Sequence, residues 1–224
     1  MKTLDLPAKY IELKNEVESY YLDYETNADV KNRTEKYYKG IQILFSPLIL
    51  KPKIMFIGIN PGAGFYNYNG KHVKRFSPLN KMEYSYGEYR LAKQTRKLFE
   101  LAGLTNDDLK NSVKSNCFFF ATKNEKELYQ FLSHLKPTGV YTKSKKWINI
   151  LVKIVEPRII ICEGKSAFDR FIKDKDCEIK THEKVLFAKW NEIKIIGYKR
   201  NFSNIMSIND VAQKLKKAQN NVLQ

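Results

Sequence analysis

The sequence contains little cysteine and histidine. Its three cysteines are Cys117, Cys162 and Cys177, and its three histidines are His72, His134 and His182. These residues form no Cys-x-x-Cys pair and no histidine spacing typical of a metal site. The sequence therefore predicts neither a metal nor a cofactor. Because Cys117 and Cys162 stand in apolar, strand-like runs, reduced and buried thiols of a cytoplasmic protein are expected.

Long apolar runs are also missing. The longest is far shorter than the roughly 20 residues that a membrane helix needs. The N-terminal residues MKTLDLPAKYIELKNEVESYY include acidic side chains and no apolar centre, so no secretory signal is expected. These features predict an intracellular protein with no membrane partner.

Two common nucleotide-binding motifs are absent. Gly164-Lys165-Ser166 resembles the end of a phosphate-binding loop, but Ile159 occupies the position of the upstream glycine. No predicted strand is followed by Gly-x-Gly-x-x-Gly, which argues against a dinucleotide-binding enzyme. Both absences favour a protein that uses no nucleotide cofactor.

Acidic residues are fewer than basic residues. The chain has 40 Lys and Arg against 24 Asp and Glu, giving a formal charge of +16 and a pI near 9.6. Such an excess attracts polyanions and speeds association with them, so nucleic acid is the indicated partner. A lysine-rich proteome would give the same composition, and charge alone leaves both explanations open.

The length of 224 residues and hydrophobic content of 43% predict one folded domain over 1–224, with residues 1–50 forming an N-terminal helical extension. Apolar spacing predicts helices at 7–27, 30–39, 88–102, 125–135, 143–155, 165–172 and 208–218. Strands are expected at 54–59, 115–121 and 158–162, with a hairpin of 184–188 and 193–197. Alternating helices and strands indicate a three-layer α/β/α sandwich around a central, mainly parallel four-stranded sheet.

A glycine-rich turn follows the first predicted strand. Residues 54–57 are apolar and lead into Gly58-Ile59-Asn60-Pro61-Gly62. A fully buried strand of a parallel sheet has such an apolar run, and ligands bind beyond the carboxyl ends of such strands. The turn therefore places the Asn60 amide where binding and catalysis usually occur.

Gly58-Ile59-Asn60-Pro61-Gly62 resembles the first active-site motif of the uracil-DNA glycosylase superfamily, in its mismatch-specific, thymine-DNA-glycosylase-like branch. Three later segments, 114–122, 156–168 and 197–205, are similar to further superfamily segments and occur in the same order. The resemblance covers about 150 residues from the first strand to the last loop. It implies a uracil-DNA glycosylase-like fold and a monomeric enzyme that removes a flipped base from DNA. Branches with an iron–sulfur cluster need four thiolates, more than this chain has.

The resemblance also implies roles for individual residues. Asn60 would hold the attacking water, and Asn116 would bind the Watson–Crick edge of the flipped base. Asn201 would be catalytic beside Asn60. Backbone N–H groups near Ile59 and Gly62, beside Pro61, would face the base oxygens together with Asn201 or Ser203. Phe76 is the first choice for the aromatic residue that stacks on the base, and Tyr86 is the second.

The last segment, Tyr198-Lys199-Arg200-Asn201-Phe202-Ser203-Asn204-Ile205, is where the sequence departs from its relatives. Lys199 and Arg200 would contact phosphates. Asn204, also predicted to bind DNA, stands where relatives often carry glycine, and asparagine is the next-best residue for a positive φ. Ile205 stands where relatives carry an apolar wedge that enters DNA. Phe202 replaces the proline of the Asn-Pro-Ser pattern, and the segment has no histidine. A superfamily member that binds nucleic acid without cleaving it is therefore the alternative.

Overall fold

The computed structural model describes residues 6–62, 73–182 and 184–220. These residues form two compact units. Unit 1 comprises Met1–Leu44, Asn60–Pro78 and Asn116–Ile154, and unit 2 comprises Phe45–Ile59, Leu79–Ser115 and Val155–Gln224.

The helices are α1 Ala8–Thr26, α2 Ala28–Thr34, α3 Arg90–Leu101, α4 Asn106–Lys110, α5 Glu125–Leu135, α6 Val140–Val155, α7 Lys165–Ile172 and α8 Ile208–Gln219. The strands are β1 Gly40–Gln42, β2 Ile54–Gly58, β3 Val73–Arg75, β4 Val113–Asn116, β5 Phe120–Ala121, β6 Ile159–Cys162, β7 Glu178–His182, β8 Val185–Trp190, β9 Ile193–Tyr198, β10 Arg200–Asn201 and β11 Asn204–Ile205.

Unit 1 is built on an aromatic core. The tyrosines of α1 recur at helical spacing, and Tyr20 lies 5.2 Å from Trp147 and 6.1 Å from Phe120 between ring centroids. Tyr24 contacts the same Phe120 ring at 5.9 Å. The helix predicted at 7–27 is therefore confirmed as α1, with these tyrosines on its buried face. A small sheet of order β3-β1-β5 lies in the same unit.

Unit 2 contains the larger sheet, of order β4-β2-β6-β9-β8-β7. Strands β2, β6 and β9 are parallel, whereas β8 is antiparallel to β9, and β7 to β8. The sheet is thus mixed and six-stranded, rather than four-stranded as expected. The late hairpin is confirmed as β8 and β9, and β7 extends it by one edge strand.

Helices flank this sheet on both faces. Phe187 and Trp190 are three positions apart on β8, so their side chains point to opposite faces. The Phe171 ring of α7 lies 6.1 Å from Trp190, and the Lys214 ammonium of α8 lies 4.4 Å from the centre of the Phe187 ring. The chain is therefore an α/β protein with helices on both faces of the unit 2 sheet.

One predicted strand is wrong. Residues 115–121 were expected to form one strand, but they divide between β4 in the larger sheet and β5 in the smaller one. Cys117-Phe118-Phe119, which join the two strands, are apolar and buried, so the sequence shows no exposed position at which the chain changes sheets.

Three further elements have weak sequence signals. Strand β3 is Val-Lys-Arg, α4 is a five-residue helix, and β7 is an edge strand rich in polar side chains. Edge strands commonly carry charged residues, which hide the alternation that marks a half-buried strand. Helix α6 also begins at Val140, three residues before its predicted start.

None of the helices in the described ranges is long and apolar enough to cross a membrane. Within the same ranges, no group of three or more His, Cys, Asp or Glu side chains is placed to hold a metal ion.

Candidate functional site

The Asn60 side chain is held on one side only. Asn60 follows β2 and is half-buried in unit 1. Its Nδ2 donates to the Pro61 carbonyl at 2.9 Å and to the Thr122 hydroxyl at 3.0 Å. Since a carbonyl can only accept, the amide group facing Pro61 is the NH₂ group. Across the described part of the chain, Oδ1 of Asn60 has no hydrogen-bond partner, which leaves an acceptor.

Asn116 provides a second polar side chain in unit 1. It ends β4 and is 3% exposed, yet its Nδ2 has no hydrogen-bond partner among the described residues. An unpaired buried amide donor costs about 1–3 kcal/mol, so proteins rarely keep one without a reason. A ligand carbonyl oxygen would satisfy this donor.

The neighbours of Asn60 in the chain differ in exposure. Pro61 is buried, and Gly62 is exposed. A Cβ added to Gly62 would meet no described atom within 4 Å, so crowding does not require glycine there. Ile59 belongs to unit 2 and its side chain is 6% exposed, which leaves its backbone as the group available for the predicted binding role.

Phe76 contributes to the aromatic core of unit 1. Its carbonyl accepts a hydrogen bond from the Tyr10 hydroxyl at 3.0 Å, and its ring centroid lies 5.7 Å from that of Tyr21. Base stacking by this half-buried ring stays a prediction. Tyr86, the second choice, lies in unit 2 and is 55% exposed. The loop after Asn60 also offers Phe65, Tyr66 and Tyr68 as stacking candidates, and these lie outside the described residues.

In unit 2, the last predicted segment forms a two-stranded hairpin. Strand β10 pairs antiparallel with β11, with Arg200 opposite Ile205 and Asn201 opposite Asn204. The turn between them consists of Phe202 and Ser203. The predicted catalytic residue Asn201 is exposed on this hairpin, and Ser203 is half-buried.

The structure corrects the prediction for Ile205. Its side chain is 5% exposed and packs in the hydrophobic core of unit 2 with Val211 and Leu215 of α8. A buried side chain cannot act as a DNA wedge without unfolding its surroundings. The exposed apolar residue of the hairpin is Phe202, at 92% exposure.

The positive φ expected near Asn204 also falls on Phe202, whose φ is +52°. A bulky residue in the left-handed region is strained, and such strain is concentrated at functional sites. Sequence reasoning registered Phe202 only as a departure from the family pattern. The signal available in the sequence was the large aromatic side chain at this position.

The predicted phosphate-contacting residues lie on the same segment. Lys199 is exposed and Arg200 is half-buried. Arg200 Nε lies 3.4 Å from where a Cβ on Gly164 would stand, and Gly164 has a φ of +118°. A side chain at Gly164 would therefore be strained and would crowd the guanidinium.

A buried ionic cluster in unit 2 was missed by sequence reasoning. The Lys114 ammonium lies 3.7 Å from Glu83 Oε2 and 3.9 Å from Glu163 Oε2. It also lies 4.0 Å from the centroid of the Tyr84 ring and 5.0 Å from that of Phe45. All three charged residues are at most 8% exposed. These residues are far apart in the sequence, so no local pattern indicates that they form a cluster.

Tyr84 completes this cluster by donating its hydroxyl hydrogen bond to Glu163. Burial raises the pKa of Tyr84 well above its ordinary value, and the charge of Glu163 adds to this shift. Burial, assisted by Glu163, likewise raises the pKa of Tyr198. Both phenols therefore stay protonated, and Tyr84 remains a donor to Glu163.

No protein-family model matches this sequence, and no curated protein matches it.

Proposed function

We propose that the protein is a DNA N-glycosylase that hydrolyses the bond between deoxyribose and a deaminated or mismatched base such as uracil. The observation that carries this proposal is the orientation of the Asn60 amide. Its NH₂ group is bound within unit 1, while its oxygen has no hydrogen-bond partner among the described residues. The resemblance of Gly58-Ile59-Asn60-Pro61-Gly62 to the first superfamily motif supports the same assignment.

The chemistry needs an oriented water and a stabilised leaving base. Water oxygen bonds to C1′ of the sugar, the C1′–N bond breaks, and its electron pair leaves with the base. Asn60 Oδ1 accepts one hydrogen of that water, which leaves an oxygen lone pair available for attack. The attacking water loses a proton to solvent, and the departing base gains one.

Asn116 suits recognition of the base. Its unpaired, buried Nδ2 would donate to a carbonyl oxygen of the base and stabilise negative charge that develops there. A donor at this point favours oxo bases over amino bases, because an amino group in that place would leave two donors facing each other. The base-facing roles of Asn201 and Ser203 stay predictions from the resemblance.

A direct assay tests the proposal. We expect enzyme in excess over labelled oligonucleotides to generate alkali-labile abasic sites at one or more of uracil, hypoxanthine, xanthine or a T·G mismatch. Duplexes of the same sequence with only normal pairs are the control and should remain intact. If none of the four substrates is cleaved, the glycosylase proposal is wrong.

The alternative is a nucleic-acid-binding module without cleavage. Phe202 favours it, because an aromatic tip replaces the proline of the Asn-Pro-Ser pattern, and an exposed ring can stack on bases whatever their sequence. The net charge of +16 is compatible with both functions.

Phe202 should contribute to DNA affinity and not to stability. Stacking on one base is worth about 1–3 kcal/mol, so Phe202→Gly should weaken binding to a single-stranded oligonucleotide about fivefold or more. Glycine relieves the left-handed strain at this position, so the free energy of unfolding should be unchanged or higher.

Fluorescence anisotropy measures the affinity, and denaturant unfolding measures the stability. Phe202→Tyr is the matched control, since it retains an aromatic ring and should bind like the parent. Equal affinity for Phe202→Gly and Phe202→Tyr would exclude a stacking role for this ring.

A further inference from the structure

Thr122 connects Asn60 to the beginning of helix α5. It follows β5 directly, is completely buried, and accepts from Asn60 Nδ2 at 3.0 Å. The Thr122 hydroxyl itself donates to the Asn124 carbonyl at 2.9 Å. Asn124 is the N-cap of α5, where its side chain accepts from the Glu127 N–H at 2.9 Å. The hydroxyl is therefore anchored to a capped helix.

This arrangement assigns the direction of each hydrogen bond. A threonine hydroxyl has one hydrogen, and the Asn124 carbonyl can only accept it. Thr122 Oγ1 is thus left as an acceptor towards Asn60. Pro61 presents a second acceptor at 2.9 Å, so the two N–H bonds of the Asn60 amide have two matching partners.

Rotating the Asn60 amide by 180° would remove both hydrogen bonds. Oδ1 would then face the Pro61 carbonyl oxygen and the Thr122 hydroxyl oxygen, neither of which has a hydrogen to offer. The surroundings of the amide therefore select one of its two orientations, with Oδ1 turned away from both partners.

We propose that Thr122 is a positioning residue that fixes the polarity of the Asn60 amide, so that the group bound by Asn60 must be a hydrogen-bond donor. The consequence for hydrolysis rests on the proposed function. A water that donates to Oδ1 keeps its lone pairs for attack on the sugar. A water facing an outward NH₂ group would accept instead, which engages one of its two lone pairs and makes its oxygen a weaker nucleophile. Thr122 acts through Asn60 and does not itself contact the substrate.

Thr122→Val tests this role, because valine has nearly the same shape and no hydroxyl. Thr122→Ser keeps the hydroxyl and should restore the parent behaviour. Thr34→Val is the matched control: Thr34 is also a completely buried threonine of unit 1, and its hydroxyl donates to the Val30 carbonyl at 2.7 Å, within the α2 region.

The first readout is the Asn60 side-chain NH₂ signal in ¹H–¹⁵N spectra, identified by its disappearance in Asn60→Ala. We expect this signal to shift and to exchange faster with solvent in Thr122→Val, and to remain near its parent position in Thr122→Ser and Thr34→Val. An unchanged Asn60 signal in a folded Thr122→Val protein would overturn the proposal.

The second readout is single-turnover base excision at saturating enzyme. We expect Thr122→Val to lower the rate about tenfold, the order expected when one orienting neutral hydrogen bond is lost, and Thr122→Ser to recover most of it. An active parent whose rate is the same in Thr122→Val would contradict the catalytic consequence. If the NH₂ signal moves as expected but the parent excises no base, the positioning role of Thr122 stands and the glycosylase function fails.

Discussion

Lys114→Met is expected to lower the free energy of unfolding by about 3–5 kcal/mol, the range observed when one partner of a buried ion pair is removed. The two carboxylates next to the Lys114 ammonium, Glu83 and Glu163, would remain buried without a cation. Folded domains are typically stable by only about 5–15 kcal/mol, so this single change should remove a large part of the total.

The geometry explains why the cation matters. Glu163 still receives the Tyr84 hydrogen bond after the change, but Glu83 Oε2 accepts no hydrogen bond from the described residues and has the Lys114 ammonium 3.7 Å away. Methionine is as unbranched as lysine and only one atom shorter, so it should still fill most of the space beside the Tyr84 and Phe45 rings. The loss should therefore come from the missing charge and not from a cavity.

Denaturant titration followed by circular dichroism measures the effect. The double variant Lys114→Met with Glu83→Gln removes one excess carboxylate and should recover part of the lost stability. Lys93→Met is the control: it breaks an exposed pair with Glu88, 3.1 Å apart, and should cost about 1 kcal/mol or less. A loss for Lys114→Met no larger than for Lys93→Met would show that the buried cluster does not stabilise unit 2.

The sequence predicted the elements whose burial follows a simple period. Helix α1 shows apolar residues at helical spacing, and β2 is an apolar run that is buried throughout. Strands β4 and β5 were merged because the residues that join them are also buried. Only long-range pairing, which the local pattern does not contain, assigns the two halves to different sheets.

The place of Asn60 after a buried strand was predictable from the sequence, but the direction of its amide was not. The apolar strand followed by a glycine-flanked turn identified Asn60, yet the amide direction depends on Thr122, which is 62 positions away. Thr122 stands in an apolar run, where a threonine gives no sign of a polar role. Such contacts arise from the tertiary fold and cannot be read from local spacing.

The C-terminal segment shows the limit of a family pattern. Ile205 was assigned an exposed role by alignment with relatives, although an isoleucine preceding an amphipathic helix is equally suited to a core position. The hairpin of β10 and β11 buries Ile205 and presents Phe202 instead. Alignment with the family pattern identified the segment, whereas its backbone conformation determines which side chain is exposed.

Asn60→Ala is expected to lower the single-turnover rate of base excision by about 100- to 1,000-fold while leaving DNA affinity nearly unchanged. Loss of one preorganised polar group at a reacting centre has a cost of this order. The substitution removes Oδ1, the acceptor that would orient the attacking water. Most of the affinity for DNA comes from phosphate contacts by Lys and Arg side chains, which the substitution does not alter.

The measurement uses enzyme in excess over the substrate that the parent cleaves fastest, with binding followed separately at the same salt concentration. Asn106→Ala is the matched control, since Asn106 is an exposed asparagine at the first position of α4 with no assigned role at the site. Equal unfolding midpoints would exclude a folding defect caused by the lost bonds to Pro61 and Thr122. If folded Asn60→Ala excises the base within about threefold of the parent rate, the water is oriented by another group and the role proposed for Asn60 is wrong. A loss of two to three orders of magnitude at unchanged affinity assigns that role to the Asn60 amide, because no phosphate contact or core packing has been altered.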